Sequence, residues 1–129
     1  MRKAGLLAGV VLAGVLGAAA ARAEDGKAAM AAAGEGVFNA NCHACHSADP
    51  SKNTFGPSLV GVVGRKAGSQ PRFKYSKALE DSGLTWTEDN LRLWIADNTA
   101  LVPQTRMRHV AIADKAQQDY LIAYLNSLK

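Results

Sequence analysis

Two cysteines and a histidine stand together in the run Cys42-His43-Ala44-Cys45-His46. Thiols at this spacing lie about one helical turn apart, and a histidine directly after the second one is typical of covalent haem attachment. Both thiols would add to the vinyl groups along one side of a haem, which would position His46 beneath the iron as an axial ligand. The motif therefore predicts one covalently bound haem c per chain.

Three other interpretations of the cysteine pair are weighed against haem attachment. A structural zinc site needs four ligands, which Cys42 and Cys45 could complete only awkwardly with His43, His46 or His109. A thioredoxin-like redox pair is expected in a βαβ setting, and the sequence has no such pattern. A simple disulfide between the two cysteines is compatible with an exported protein. We favour haem attachment over all three.

A second axial ligand would distinguish an electron carrier from a haem with an open coordination site. The candidates are Met30, Met107, His43 and His109. His43 lies inside the attachment motif, and Met30 lies in the stretch before it, so neither is well placed to reach the opposite face. Met107 follows His46 by about sixty residues, which is enough chain to wrap around a haem. A thioether ligand raises the reduction potential, although a methionine is also a common core residue.

The elements that must position these residues are predicted to be helices, because clean alternating strand patterns are absent. An Ala-rich stretch over residues 25–41 predicts a helix that leads directly into the cysteine motif. Residues 47–75 are dense in Gly, Pro, Asn and Ser, which indicates a long ordered loop. A loop of this length in a small domain is usually functional, here organised by the bound haem.

Three further helices are predicted in the second half of the chain. A short one covers residues 76–81 and ends at Gly83. The next begins after Thr87, a good N-cap residue, and the last begins after Asp114. Residues 97–107 are predicted to be non-helical. The expected buried positions of the two longer helices are Leu91, Trp94, Ile95, Leu121, Tyr124, Leu125 and Leu128.

The amino terminus has the pattern of an export signal. Arg2 and Lys3 precede an apolar stretch over residues 4–21, and Ala21-Arg22-Ala23 supplies a small-x-small cleavage pattern. We expect residues 1–23 to be a signal peptide removed after Ala23, leaving one domain over residues 24–129 in the periplasm. A retained anchor is the alternative, since the apolar stretch reaches the lower limit for a membrane span.

Removing the signal changes the charge balance. The whole chain has 15 Lys and Arg against 11 Asp and Glu. Three basic residues and no acidic residue leave with the signal, which leaves 12 against 11, a net charge of +1. This near-neutral balance gives no support to a nucleic-acid or membrane-surface function. We expect a monomer that is not embedded in the membrane.

Several motifs in one order make residues 34–128 resemble a known family, the class I c-type cytochromes. Gly34 and Phe38 are similar to the pair on that family's first helix, and the cysteine motif to its haem attachment site. The other matching segments are Phe55-Gly56-Pro57-Ser58-Leu59, Gly64-Arg65-Lys66, Phe73-Lys74-Tyr75-Ser76, Leu84-Thr85-Trp86, Pro103-Gln104-Thr105-Arg106-Met107 and Asp119-Tyr120-Leu121-Ile122-Ala123-Tyr124-Leu125. The resemblance implies an all-α class I cytochrome c fold, with four to five helices and long loops wrapped around one haem.

The resemblance also implies roles for single residues. Met107 would be the second iron ligand opposite His46, and the Pro57 carbonyl would accept a hydrogen bond from the His46 ring. The residues expected near the haem propionates are Arg65, Tyr75, Trp86 and Thr105.

The sequence departs from the family pattern at several positions. Trp94 stands where a tyrosine is usual, Leu79 where an asparagine is usual, and Gln104 where the methionine loop usually has glycine. His109 stands two positions after the methionine, where the family usually has an aromatic residue. Thr99 and Ala100 stand where lysines are expected. The remaining cations leave a diminished basic face, made of Lys52, Lys66, Lys74, Arg106 and Arg108.

The function implied is that of a soluble one-electron carrier and not an enzyme. The donor would be a quinol-oxidising complex or a dehydrogenase, and the acceptor a terminal oxidase or a photosynthetic reaction centre. Two alternatives stay open. One is a peroxidase or ligand-sensing cytochrome in which Met107 dissociates and His109 could replace it. The other is a haem subunit of a periplasmic dehydrogenase.

Overall fold

Five α-helices form the described part of the chain in the computed structural model. The structure describes residues 12–108 and 110–129. The helices are α1 (Leu12–Asn41), α2 (Lys77–Asp81), α3 (Glu88–Ala96), α4 (Asn98–Leu101) and α5 (Lys115–Ser127). Within those ranges the extended pairing is limited to one isolated bridge between Lys66 and Thr85. The predicted all-α class with four to five helices is confirmed.

Helix α1 is longer than the helix predicted over residues 25–41. It begins at Leu12 and passes without a break through the predicted cleavage site after Ala23. The Ala-rich composition on both sides of that site favours helix throughout, since alanine has the highest helix propensity. Among the described residues, no helix is long and apolar enough to cross a membrane.

Helices α1 and α5 cross at Gly34, and this crossing organises the core. A Cβ atom at Gly34 would collide with the Tyr120 carbonyl oxygen and would lie 2.8 Å from the Tyr124 Cβ. The two backbones can therefore meet only because Gly34 has no side chain. Next to the crossing, Phe38 and Leu121 are each 1% exposed. The start of the cysteine motif is thereby fixed to the carboxyl-terminal helix.

Side-chain caps set the starts of the helices in the second half. Thr87 accepts from the Asn90 backbone N–H at the start of α3, as its residue type predicts. Asp114 accepts from the Gln117 N–H at the start of α5. Ser76 caps α2 in the same way. These three predicted helix starts are confirmed.

The prediction that residues 97–107 are non-helical is wrong for one turn. Asp97 ends α3 and its carboxylate accepts from the backbone N–H groups of Thr99 and Ala100. These bonds cap α4, because a carboxylate satisfies N–H groups that a first helical turn leaves without a partner. Residues 102–107 are outside any helix, as expected.

The core lies between these helices and the long loop. Its buried apolar side chains come from α1, α2, α3 and α5 and from the segments between the helices: Phe38, Val62, Ala67, Leu79, Trp86, Leu91, Trp94, Ile95, Val102, Ile112, Leu121, Ile122 and Leu125. Of the seven positions predicted to be buried, five are in this core: Leu91, Trp94, Ile95, Leu121 and Leu125. The other two, Tyr124 and Leu128, are only partly buried. Residues 47–75 contain no helix, as predicted.

Candidate functional site

The cysteine motif forms a compact turn at the end of α1. The Cys42 N–H donates to the Phe38 carbonyl (2.8 Å), so the helical path continues into the motif. The Cys45 and His46 N–H groups then both donate to the Cys42 carbonyl, at 3.0 and 2.9 Å. Cys42 and Cys45 are partly buried free thiols. The turn thus brings two thiols and an imidazole together on one short segment.

The electrostatics of Cys42 give no support to a reactive redox pair. Burial, and next the proximity of Cys45, raise the pKa of the Cys42 thiol to about 11. Reactive cysteines instead have lowered pKa values that favour the thiolate. The zinc alternative also finds no support within the described ranges, where no three His, Cys, Asp or Glu side chains converge as metal ligands.

The His46 ring is buried and held by one hydrogen bond. Its Nδ1 donates to the Pro57 carbonyl at 2.8 Å, which assigns the proton to Nδ1 because a carbonyl can only accept. Burial lowers the pKa of His46, and the bond to Pro57 partly opposes that shift. The neutral ring therefore has Nε2 as its acceptor atom, which is the form that ligates metals.

Gly56 makes this arrangement of His46 sterically possible. A Cβ atom at Gly56 would lie 2.5 Å from Cε1 and 2.7 Å from Nδ1 of the imidazole. Its own N–H donates to the Cys45 carbonyl at 2.7 Å. The loop therefore passes directly against the histidine ring, and only a glycine leaves room for it.

Arg65 ties the long loop together. Its guanidinium donates to the Val60 carbonyl (3.0 Å), to Gln70 Oε1 (2.6 Å) and to the Ser58 carbonyl (3.1 Å). The Tyr75 hydroxyl accepts from the Gln70 N–H at 3.2 Å. Burial lowers the pKa of Arg65 and raises the pKa of Tyr75. Arg65 and Tyr75, both predicted site residues, are thus brought together through Gln70, which sequence reasoning missed.

Trp86 connects the loop to α3. It is 7% exposed, and its ring meets the Trp94 ring edge-on with centroids 5.0 Å apart. Its backbone N–H donates to the Arg65 carbonyl at 2.8 Å. Trp86 therefore lies beside the Arg65 segment and in contact with Trp94 of α3.

Met107 is held by three neighbours. Its sulfur accepts from the Trp94 indole N–H at 3.1 Å, and its carbonyl accepts from the Asn98 amide at 3.1 Å. Its own N–H donates to the Thr105 hydroxyl at 3.4 Å. Gln104 has φ +68, so the loop keeps the left-handed conformation that a glycine would adopt more easily.

The other candidate ligands are placed differently. Met30 lies on α1 and is 39% exposed, whereas Met107 packs partly buried against the core. His43 is exposed at the surface of the turn. His109 lies outside the described residues, so its predicted role as a replacement ligand stays a prediction.

Comparison with known proteins decides the family. The family model described as Cytochrome c matches residues 31–129. The chain belongs to the cytochrome c family. Membership makes it a haem c protein with one covalently attached haem per chain, an electron carrier and not an enzyme.

Individual relatives agree with this assignment. Cytochrome c2 iso-2 of Magnetospirillum fulvum is 45% identical over 87 residues, which cover 67% of this chain and 91% of the relative. Among solved structures, cytochrome cH from Methylobacterium extorquens is 46% identical with a TM-score of 0.70, covering 75% of this chain and 97% of its own. Ferricytochrome c2 from Rhodopseudomonas palustris is 40% identical with a TM-score of 0.69, and the match covers 77% of this chain and 98% of the ferricytochrome.

The residues of this family member fit a haem c. The cysteine thiols are adjacent on one turn, and the neutral His46 ring is oriented through Nδ1 with Nε2 left as the ligating atom. The guanidinium of Arg65 has only neutral hydrogen-bond acceptors in the described part of the chain. A half-buried cation in that situation favours an added anion, and ionised propionates would supply one.

Proposed function

We propose that this protein is a periplasmic one-electron carrier in which His46 and Met107 are the two axial iron ligands. The observation that carries the proposal is that both side chains are oriented by hydrogen bonds from different elements: His46 by Pro57 and Met107 by Trp94. Haem c supplies the one-electron ferric–ferrous couple. The two proposed ligands, His46 and Met107, would keep the coordination of the iron the same in both oxidation states.

Two protein ligands would leave no coordination position for a substrate. His46 and Met107 are both fixed by neighbours that do not depend on each other, so a change in iron charge would require little rearrangement of either. Small rearrangement favours fast electron transfer over ligand chemistry. This supports a carrier over a peroxidase or ligand sensor.

The long loop is proposed to hold the propionate side of the haem. Arg65 would balance the carboxylate charge, while Tyr75, Trp86 and Thr105 would offer polar hydrogens from partly or fully buried positions. Cys42 and Cys45 would carry the covalent links. The half-buried guanidinium of Arg65, bonded only to neutral groups in the described ranges, supports this assignment.

Docking partners are proposed to meet the diminished basic face. Two of its residues, Lys74 and Arg106, line one open cavity of about 470 Å³ together with Lys77 and Glu80. Arg106 donates to the Lys74 carbonyl at 2.7 Å, which fixes one of these cations. We propose transient, salt-sensitive docking to a quinol-oxidising complex or dehydrogenase as donor, and to a terminal oxidase or photosynthetic reaction centre as acceptor.

Export is part of the proposal. The family model begins at residue 31, downstream of the small-x-small pattern that ends at Ala23. A mature chain that starts at Glu24 would therefore keep the whole matched region. Amino-terminal sequencing of the protein from a periplasmic extract tests this: Glu24 as the first residue is expected, and a retained Met1 would contradict cleavage.

Separate replacement of Met107 and Met30 tests which methionine is the iron ligand. Met107→Ala should keep covalent haem but lower the midpoint potential and remove the weak ferric absorption band, near the red end of the visible spectrum, that marks sulfur ligation. Met30→Ala is the matched control, because Met30 is on the exposed side of α1, and it should change neither quantity. An unchanged band and potential in Met107→Ala would refute the assignment.

A further inference from the structure

Two buried amide side chains bond the backbone at Met107 and shortly after it. Within the described residues, the buried polar side chains are those of His46, Ser58, Asn98 and Gln118. Burying a primary amide is costly unless its N–H groups are hydrogen-bonded. Asn98 and Gln118 both donate to backbone carbonyls in this part of the chain. Neither amide has a place in the proposed ligand set, so their burial needs another explanation.

Gln118 anchors the chain after the methionine to two helices. It is 4% exposed on α5, and its amide donates to the Ile112 carbonyl at 2.8 Å. The Ile112 N–H donates in turn to the Ile95 carbonyl of α3 at 2.9 Å. The backbone of Ile112 is therefore bonded to α5 through its carbonyl and to α3 through its N–H. This residue is a fixed point of the fold.

Asn98 holds the backbone of the methionine itself. It is fully buried on α4, and its amide donates to the carbonyls of Met107 (3.1 Å) and Arg108 (3.4 Å). The Asp97 carboxylate caps α4 and fixes the turn that carries Asn98. These bonds reach only main-chain atoms, so they restrain the position of Met107 without touching its sulfur.

We infer that Asn98 and Gln118 are positioning residues that slow the release of Met107 from the iron. This inference rests on the proposed ligation by Met107. The methionine packs against the core, and a close-packed interior leaves the thioether little room to move on its own. The backbone of Met107 must therefore move when the sulfur leaves, which breaks the bonds from Asn98 and strains the anchor at Ile112. Each amide bond lost in this movement raises the barrier to release.

The rate at which imidazole binds to the ferric holoprotein measures this release. Imidazole replaces the methionine sulfur with no change in oxidation state, so at high imidazole concentration the observed rate levels off at the rate of release. In Asn98→Ala the plateau rate should rise by about two- to tenfold, the range that the net strength of one ordinary hydrogen bond spans. Gln118→Met keeps a side chain of similar length without the donor and should raise the plateau over the same range. Unchanged plateau rates in both variants would overturn the inference.

A cap variant separates a local effect on Met107 from a general loss of stability. Thr87→Ala also removes one hydrogen bond between a side chain and the backbone, but at the opposite end of α3 from Ile95. Its plateau rate should equal that of the unmodified protein. If Thr87→Ala raised the plateau as much as the two amide variants do, release would follow overall stability and the specific role of the amides would be refuted.

A measurement on the unmodified protein does not depend on any variant folding. At saturating imidazole, the side-chain amide hydrogens of Asn98 should exchange with solvent faster than in the imidazole-free protein, because the Met107 carbonyl has moved away. The backbone N–H of Asn90, which bonds Thr87, should exchange at an unchanged rate and is the internal control. Equal exchange of the Asn98 amide in the two states would show that the sulfur leaves without backbone movement, which contradicts the inference.

The ferric sulfur band distinguishes failure of this inference from failure of the proposed function. If the unmodified protein lacks the band and its imidazole binding rate rises with concentration without a plateau, ligation by Met107 is refuted. If the band and the plateau are present but neither amide variant accelerates release, ligation stands and the role of Asn98 and Gln118 is refuted.

Discussion

The crossing of α1 and α5 at Gly34 supports a quantitative prediction. In Gly34→Ala, the new Cβ would collide with the Tyr120 carbonyl oxygen and would lie 2.6 Å from the Tyr120 carbonyl carbon and 2.8 Å from the Tyr124 Cβ. Two of these three atoms belong to the backbone of α5 and cannot rotate away. The helices must therefore move apart, which loosens the packing of Phe38 beside the cysteine motif.

The expected loss of stability is the overpacking cost less the gain in helix propensity. Overpacking costs about 1–3 kcal/mol, and occasionally more, and a contact with backbone places Gly34→Ala at the upper end. Replacing a glycine by alanine inside a helix returns about 1 kcal/mol. We therefore expect the free energy of unfolding to fall by about 2 kcal/mol net.

Denaturant unfolding of the holoprotein, followed by far-ultraviolet circular dichroism, measures this loss. The midpoint should fall while the slope stays unchanged. Gly36→Ala is the matched control, since it makes the same change in the same helix with nothing within 4 Å of the new Cβ, and it should gain about 0.5–1 kcal/mol. Equal stability of the two variants would refute the close crossing.

Two further predictions concern the site and a helix cap. In Gly56→Ala the new Cβ would lie 2.5 Å from His46 Cε1, so the ring must turn away from Pro57. We expect a shifted midpoint potential and a stability loss of about 1–3 kcal/mol. A midpoint potential unchanged in redox titration, with an unchanged free energy of unfolding, would contradict the contact. Asp114→Ala removes the acceptor for the Gln117 N–H and should cost about 1 kcal/mol; thermal unfolding at an unaltered temperature would show that the cap contributes nothing.

Helix starts were predictable because their chemistry is local. Thr87 and Asp114 each bond a backbone N–H three residues further on, so the residue type and the following periodicity are enough. Helix α4 was missed because four residues carry no periodicity. Its cap, Asp97, also looks like the end of the preceding helix, which its backbone does terminate.

The candidate site was predictable where its residues are contiguous. The run from Cys42 to His46 carries its chemistry in five successive positions, whereas Met107 needed the family resemblance to be preferred over a core methionine. Gln70 and Asn98 gave no signal, because their bonds to Arg65 and Met107 appear only once the loops are folded. Trp94 was recognised as a departure from the family, but its bond to the Met107 sulfur is a product of the tertiary structure.

The axial ligation of the unmodified holoprotein tests the central claim most directly. We predict that the ferric protein at neutral pH shows the weak sulfur-ligation band, and that the ferrous protein does not bind carbon monoxide rapidly, because His46 and Met107 would occupy both axial positions. A ferric spectrum without that band, together with rapid carbon monoxide binding by the reduced protein, would contradict the account of a closed one-electron carrier.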